Sequence, residues 1–491
     1  MDQLPALLVV IPLLAAPLAA ALPNTRLPWL LAVAVSWTVL GIAIAVLAEV
    51  LGTGPISYTM GGWDPPFGIE LRVDALNALI ALIVTIIGAV VVPFAGPSAS
   101  SELGSRGIAL FYCLFLLVYT GLLGITVTGD IFNMFVFLEI SSLSSYALIA
   151  LGRDRRALTA SYQYLIMGTI GATFFLIGVG LLYSLTGTLN IADLASRLPA
   201  VAGTRTAQTA FAFLVAGIGL KLALFPVHLW LPNAYTYAPS AVSAFIAATA
   251  TKVAVYVMLR VLYTVFGAGY SFGTMPLTPI LIALSLVGIV VTSLMALNQN
   301  DAKRLLAYSS VAQIGYMVVG LAFATTAGLT AAITHVFNHA LMKGALFCAL
   351  GAVAYRIGST RIRELEGIGR AMPWTMSAFA LGGLSLIGVP GTAGFVSKWY
   401  LILAALEQGW WWLAGVVLAT SLIAVMYIWR VVEAAWFRPL PAHRAEVREA
   451  PLGLLVPVWV LAAANVWFGI DTRFSAGIAA RAAESLLGAA P

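Results

Sequence analysis

The sequence predicts an all-α polytopic membrane protein of about fourteen transmembrane helices, and three observations carry that prediction. Of its 491 residues, 61% are hydrophobic and only 9% are charged, whereas a soluble domain carries about 25% charged residues. Apolar stretches of more than about eighteen residues, each long enough to cross a bilayer as a helix, recur from end to end. The polar surface that a soluble core of this size would require is missing.

Taken in order, the first three spans lie near 4–22, 28–51 and 73–95, within an N-terminal group at 1–106. The chain opens Met1-Asp2-Gln3, with neither a basic n-region nor a convincing cleavage site, so the first span reads as a retained helix. Five spans follow near 107–128, 131–151, 160–185, 207–236 and 240–265, a unit at 107–265. Another five lie near 277–297, 301–323, 327–356, 372–408 and 411–437, a unit at 277–437. A last span near 451–469 and a C-terminal tail complete 451–491. An odd number of helices per unit starts the second copy on the opposite side, so a repeat of five has inverted topology. The spans 207–236 and 372–408 are too long for one crossing, and each holds an internal proline, Pro226 and Pro390. Broken helices at corresponding places in two halves point to a transport site near the bilayer midplane.

The net charge of +6 is accounted for by the positive-inside rule rather than by a nucleic-acid partner. With the N-terminus outside, fifteen of the 25 basic residues fall in cytoplasmic loops, Arg106, Arg155, Lys303, Arg304, Arg361 and Arg430 among them. Six fall outside: Arg72, Arg197, Arg205, Arg260, Arg473 and Arg481. The asymmetry predicts a bacterial inner-membrane protein with both termini on the outer face. The two cysteines, Cys113 and Cys348, sit in separate apolar runs and suggest neither a disulfide framework nor a metal site.

The remaining four basic residues, Lys221, Lys252, Lys343 and Lys398, lie inside spans. A charge at a helix centre costs about 2.5–3.5 kcal/mol, so four cost about 10–14 kcal/mol before pairing, too much to be incidental. Glu139 is the one carboxylate well inside a span, and Lys221 is its expected partner; a pair reduces both desolvation penalties. Opening such a pair changes the proton affinity of both groups, although a structural ion pair would read the same in sequence. His335, His339 and Lys343 recur at i, i+4 and i+8 and share one helix face. Imidazole takes up and releases protons near neutral pH. The histidine pair also resembles a metal site, but no third ligand accompanies it and Lys343 would repel a cation. His228, just past Pro226, reads as a shuttle or as a packing histidine. Proline lacks an N–H, so Pro226 and Pro390 free the carbonyls of Leu222 and Leu386, with Gly388, Gly391 and Gly394 loosening the second break. Freed carbonyls at membrane depth are tolerated beside a hydrated cavity.

Four segments carry a resemblance. Phe132–Glu139 (FNMFVFLE), Lys221–Ala234 (KLALFPVHLWLPNA), Asp301–Ser310 (DAKRLLAYSS) and Gly388–Phe395 (GVPGTAGF) resemble the proton-pumping antiporter-like family. This family comprises membrane subunits of respiratory complex I, of membrane-bound hydrogenases and of Mrp-type multisubunit cation/proton antiporters. The likeness runs from about residue 70 to 430, and overall the chain looks most like an Mrp D subunit. The resemblance implies that Glu139 and Lys221 form a coupling pair and that Lys252 relays protons at the pseudo-symmetric centre. It further implies that His335 and His339 continue the track to Lys398, its far terminal carrier. Asp301, Lys303 and Arg304 read as a helix cap and cytoplasmic anchor.

The expected function is thus proton translocation within a multisubunit Na+ (monovalent cation)/H+ antiporter, among other Mrp subunits and membrane lipid. The alternative is a proton-pumping subunit of complex I (NADH:quinone oxidoreductase) or of a membrane-bound hydrogenase. A structural anchor is a third reading, opposed by the cost of burying Lys221. The sequence carries no flavin, quinone or iron–sulfur ligand pattern, so neither cofactor nor metal is expected.

Overall fold

A computed structural model of the chain describes residues 3–23 and 26–488. The outward assignment of residues 1–2 and 489–491, and the inward one of the Arg106 side chain, fall outside the described residues. The chain opens with α1 (Leu4–Ala21) and α2 (Arg26–Thr53), followed by a hairpin of β1 (Ile56–Thr59) and β2 (Glu70–Val73). The two strands pair antiparallel, from Ile56 opposite Val73 to Thr59 opposite Glu70. Then come α3 (Ala75–Glu102), α4 (Ser105–Val127), α5 (Ile131–Ala150), α6 (Arg156–Thr186) and α7 (Ile191–Val201). The first broken span is α8 (Arg205–Leu222) and α9 (Trp230–Tyr237), and α10 (Ser240–Leu259) follows it, extended by a wider helical turn to Val265. The second half runs α11 (Leu277–Leu297), α12 (Ala302–Ala322), α13 (Thr326–Ile357), the short α14 (Ile368–Ala371), α15 (Pro373–Ile387) and α16 (Ala393–Glu407). It ends with α17 (Trp411–Phe437), α18 (Leu452–Ile470) and α19 (Arg473–Leu486).

Twelve of these helices are long and apolar enough to cross a membrane. The two remaining expected spans are the broken ones: the chain leaves helical geometry at 223–229 and again at 388–392. At the first break Ala223 adopts left-handed geometry (φ +59°). At the second, Gly388 and Gly391 take φ +92° and +84°, a region that glycine enters without the penalty other residues bear. Gly394 serves a different purpose, because a Cβ there would lie 1.8 Å from the Ser385 carbonyl oxygen. The two half-helices of this span therefore approach backbone to backbone.

Helices α10, α12 and α13 form the centre. Helix α12 is buried nearly all round, which is why it shows no polar face. The peripheral helices instead present large apolar side chains outward, among them Trp37, Trp399, Trp412 and Trp429.

The loops gather at two ends. At one, β2 bridges to Thr128, Asp130 bridges to Asn190, and the Asn190 side-chain amide donates to Glu70 at 2.8 Å. At the other, Asp301 bridges to Arg361, the Thr360 hydroxyl donates to Asp301 at 2.9 Å, and the arginine-rich loops converge.

Several expectations need correction. Arg260 is not in an outer loop; it lies in the turn that extends α10, is 8% exposed and pairs with Asp74 at 2.5 Å. Lys303 is 5% exposed in the first turn of α12, not a solvated anchor. Arg430 lies within α17 and bonds the Leu297 carbonyl across to α11. In each case a partner distant in sequence satisfies the charge, which hydropathy cannot reveal. Outside the spans, the loop at 186–206 contains α7, and the tail contains α19. Both are short and amphipathic, and α19 buries Ile478, Ala482 and Leu486 against α13 and α3.

Candidate functional site

The string of buried charges begins on α5. Its N-terminus is capped by Asp130, whose side chain accepts from the Asn133 amide, and two turns on Glu139 faces Lys221 across to α8. The carboxylate lies 3.6 Å from the lysine Nζ, with side-chain exposures of 25% and 7%. Lys221 also donates to Ser142 Oγ at 2.7 Å and lies 3.5 Å from the Tyr146 hydroxyl. It occupies the last turn of α8, where the helix dipole favours a cation. Sequence reading does not single out Ser142, one turn past Glu139; the serine run Ser141, Ser142, Ser144, Ser145 is the signal that could have found it.

A cavity of about 40 Å³ adjoins Lys221 and reaches Ala250, Val253 and Ala254 of α10. A site holds water once it offers roughly 10–15 Å³ of such volume and two or more polar partners. Ser141, Ser142 and Ser145 line this cavity with Lys221.

Lys252 is fully buried. Its Nζ donates to the Ala247 carbonyl at 2.5 Å and lies 3.4 Å from Thr251 Oγ1, so carbonyl and hydroxyl dipoles hold it instead of a carboxylate. Helix α13, which carries His335, His339 and Lys343, packs against both α10, which carries Lys252, and α16, which carries Lys398. The imidazoles thus belong to the helix that links the helices of the two lysines. The His335 and His339 rings are parallel, with centroids 5.9 Å apart, on the one face that their i, i+4 spacing gives them. His335 Nδ1 bonds Ser397 Oγ at 2.8 Å; its Nε2 and both nitrogens of His339 meet no protein partner among the described residues. Lys343 donates to the Leu306 carbonyl at 2.8 Å and to Ser309 Oγ at 2.5 Å.

At the second break Lys398 reaches back from α16 to the end of α15. It donates to the Leu386 and Ile387 carbonyls at 3.0 and 2.9 Å and to Ser421 Oγ at 3.1 Å. Its Nζ also sits 5.1 Å from the centroid of the Tyr316 ring. The carbonyls freed by the break are therefore the seat of the lysine. Both lysines belong to a break: Lys221 lies in the last turn of the first half-helix α8, and Lys398 reaches from the second half-helix to the last carbonyls of the first. His228, 2% exposed, stacks on Phe225 at 5.3 Å and bonds none of these groups, so the geometry separates it from the string.

The portion 128–424, which holds every one of these residues, matches the family model described as NADH:quinone oxidoreductase/Mrp antiporter, TM. The chain belongs to this family. As an antiporter-like membrane protein it is 44% identical to the N subunit of the NADH-quinone oxidoreductase of Desulforudis audaxviator, over 95% of this chain and 96% of that one. It is 33% identical to the D subunit of the Na(+)/H(+) antiporter of Alkalihalophilus pseudofirmus, over 87% and 85%. Its fold matches a chain of the Mrp complex from Dietzia sp. DQ12-45-1b with a TM-score of 0.89 at 28% identity, over 99% of this chain and 98% of that one. Members of the family thus include both redox-complex and antiporter subunits, and this chain is similar to each.

Proposed function

We propose that the chain translocates protons within a multisubunit membrane complex, along Glu139, Lys221, Lys252, His335, His339 and Lys398, with Lys343 as a side branch. The observation that carries the reading is the Glu139–Lys221 pair at 3.6 Å, the head of a string in which the other lysines are held by neutral dipoles. A lysine without a counter-charge exchanges its proton with neighbours more readily than one locked in an ion pair. When Glu139 and Lys221 separate, the lysine can pass its proton towards α10; when they close, it recovers one. Two inverted five-helix units, 107–265 and 277–437, would place the two breaks about a common centre. The arginine-rich end would face the cytoplasm of a bacterial inner membrane.

For the parent complex, the 44% identity over nearly the whole chain to an N subunit favours a redox-driven quinone oxidoreductase over the Mrp antiporter that the sequence alone suggests. The redox step would then lie in other subunits. The Mrp reading, with Na+ as the exchanged cation, is supported by the 0.89 TM-score. Native mass spectrometry of the gently solubilised assembly separates them: hydrophilic redox subunits co-purify under the first, only further membrane subunits under the second. Proton flux in proteoliposomes of that assembly tests the reading common to both. Full flux from Lys221→Ala would end it.

A further inference from the structure

The string described above explains Lys343 poorly, because that lysine turns away from the histidines towards α12. Its seat, the Leu306 carbonyl and Ser309, leads to the arginine-rich end. There a cavity of about 400 Å³ opens, lined by Glu102, Ser240, Asp301, Lys303 and Ala354 among others. At its base Lys303 Nζ donates to Ser240 Oγ at 3.0 Å, and the Ser240 amide donates to the Glu102 carboxylate at 3.0 Å. Ser240 thus joins a buried cation to a carboxylate that the cavity wets. The remaining charged lining consists of Asp154, Asp301 and Glu364 against Arg153, Arg156 and Arg361. With Glu102 and Lys303 the signs balance, so the mouth does not repel protons.

We propose that Lys303, with Glu102 and Ser240, forms a proton mouth that connects this cavity to Lys343. The inference rests on the transport reading above but concerns residues outside its string. Lys303 and Ser309 are six residues apart on α12, about 9 Å along its axis. The flexible four-carbon stem of a lysine, turning from Ser240 towards Leu306, covers most of that interval, and water covers the rest. In the transfer, an N–H bond of the Lys303 ammonium breaks and its proton passes to the Ser309 hydroxyl, which gives its own to the lone pair of Lys343. Lys303, left as an amine, takes a proton from cavity water beside Glu102. An anchoring role would need only the positive charge.

The test is proton flux in proteoliposomes of the complete assembly, with Lys221→Ala as the control for transport itself. Lys303→Arg keeps charge and reach but does not release its proton, and flux should fall about tenfold or more. Lys303→His should work only on the acid side of about pH 6.5, where imidazole carries a proton. Normal flux from Lys303→Arg, or a Lys303→His profile parallel to wild type, overturns the proposal. If neither variant assembles, Ala354→Trp, which crowds the cavity from a residue that makes none of the Lys303–Ser240–Glu102 bonds, decides it: reduced flux supports the mouth and wild-type flux refutes it. Should Lys221→Ala itself retain flux, the transport reading falls; should it lose flux while Lys303→Arg does not, the mouth alone falls.

Discussion

At the scale of single residues, the decisive contrast is between one paired lysine and three held by dipoles. Lys221 has Glu139 at 3.6 Å; Lys252, Lys343 and Lys398 have carbonyls and hydroxyls. Glu139→Ala leaves Lys221 with Ser142 and Tyr146 only, and coupled flux should fall by about a hundredfold or more, the range for loss of a positioned proton carrier. Lys221→Ala should do the same, with the assembly still recovered intact. Near-wild-type flux from the double substitution would make the pair structural. Lys398 allows a sharper comparison. Arginine can satisfy the Leu386 and Ile387 carbonyls as well as lysine does, but it does not release a proton at accessible pH. Lys398→Arg should therefore fail almost as badly as Lys398→Ala; normal turnover would mean that protons leave by another route.

At the scale of elements, the breaks decide where those lysines sit. In the second break the backbone turns at Gly388 and Gly391, both at positive φ. A Cβ at Gly391 meets nothing within 4 Å, whereas one at Gly388 would lie 3.1 Å from Lys398 Cδ. Both alanine variants bear the left-handed cost, about 1–2 kcal/mol. Only Gly388→Ala also presses on the lysine. Both should lower the unfolding temperature of the purified protein by similar amounts, while Gly388→Ala loses markedly more proton flux; equal fluxes would show that the Lys398 seat tolerates displacement.

At the scale of the whole molecule, the two ends are tied differently. At the hairpin end, Arg260 of the α10 extension reaches Asp74 at 2.5 Å and also bonds the Asn77 side chain at the start of α3. Removing one partner of a buried pair costs about 3–5 kcal/mol, so Arg260→Ala should show a clear loss of thermal stability in detergent. A loss no greater than that of an exposed arginine, such as Arg473, would show the pair to be incidental. At the other end the loops holding Arg155 and Arg361 line or adjoin one polar cavity. Single cysteines at these two positions should react with a membrane-impermeant thiol reagent only from the cytoplasmic side. Labelling from outside alone would invert the proposed topology.

Composition and hydropathy were enough to establish a helical membrane protein, because a bilayer tolerates only segments that satisfy their own backbone hydrogen bonds. The cost of burying charge made Lys221, Lys252, Lys343, Lys398 and Glu139 stand out in the same way, and proline chemistry marked both breaks. Helical spacing put His335 and His339 on one face, while the parallel setting of their rings came from the structure. What the sequence could not supply was any relation between residues far apart along the chain. That Arg260 turns inward depends on Asp74, 186 residues away. That Lys303 is buried depends on Ser240, 63 residues away, and the seat of Lys343 depends on Ser309 of a neighbouring helix. Arg260 and Lys303 are polar at a helix end, where hydropathy reads solvent, and Lys343 lies inside a span whose neighbours hydropathy does not name. Only the packing of one helix against another decides whether such a group meets water, lipid or a partner.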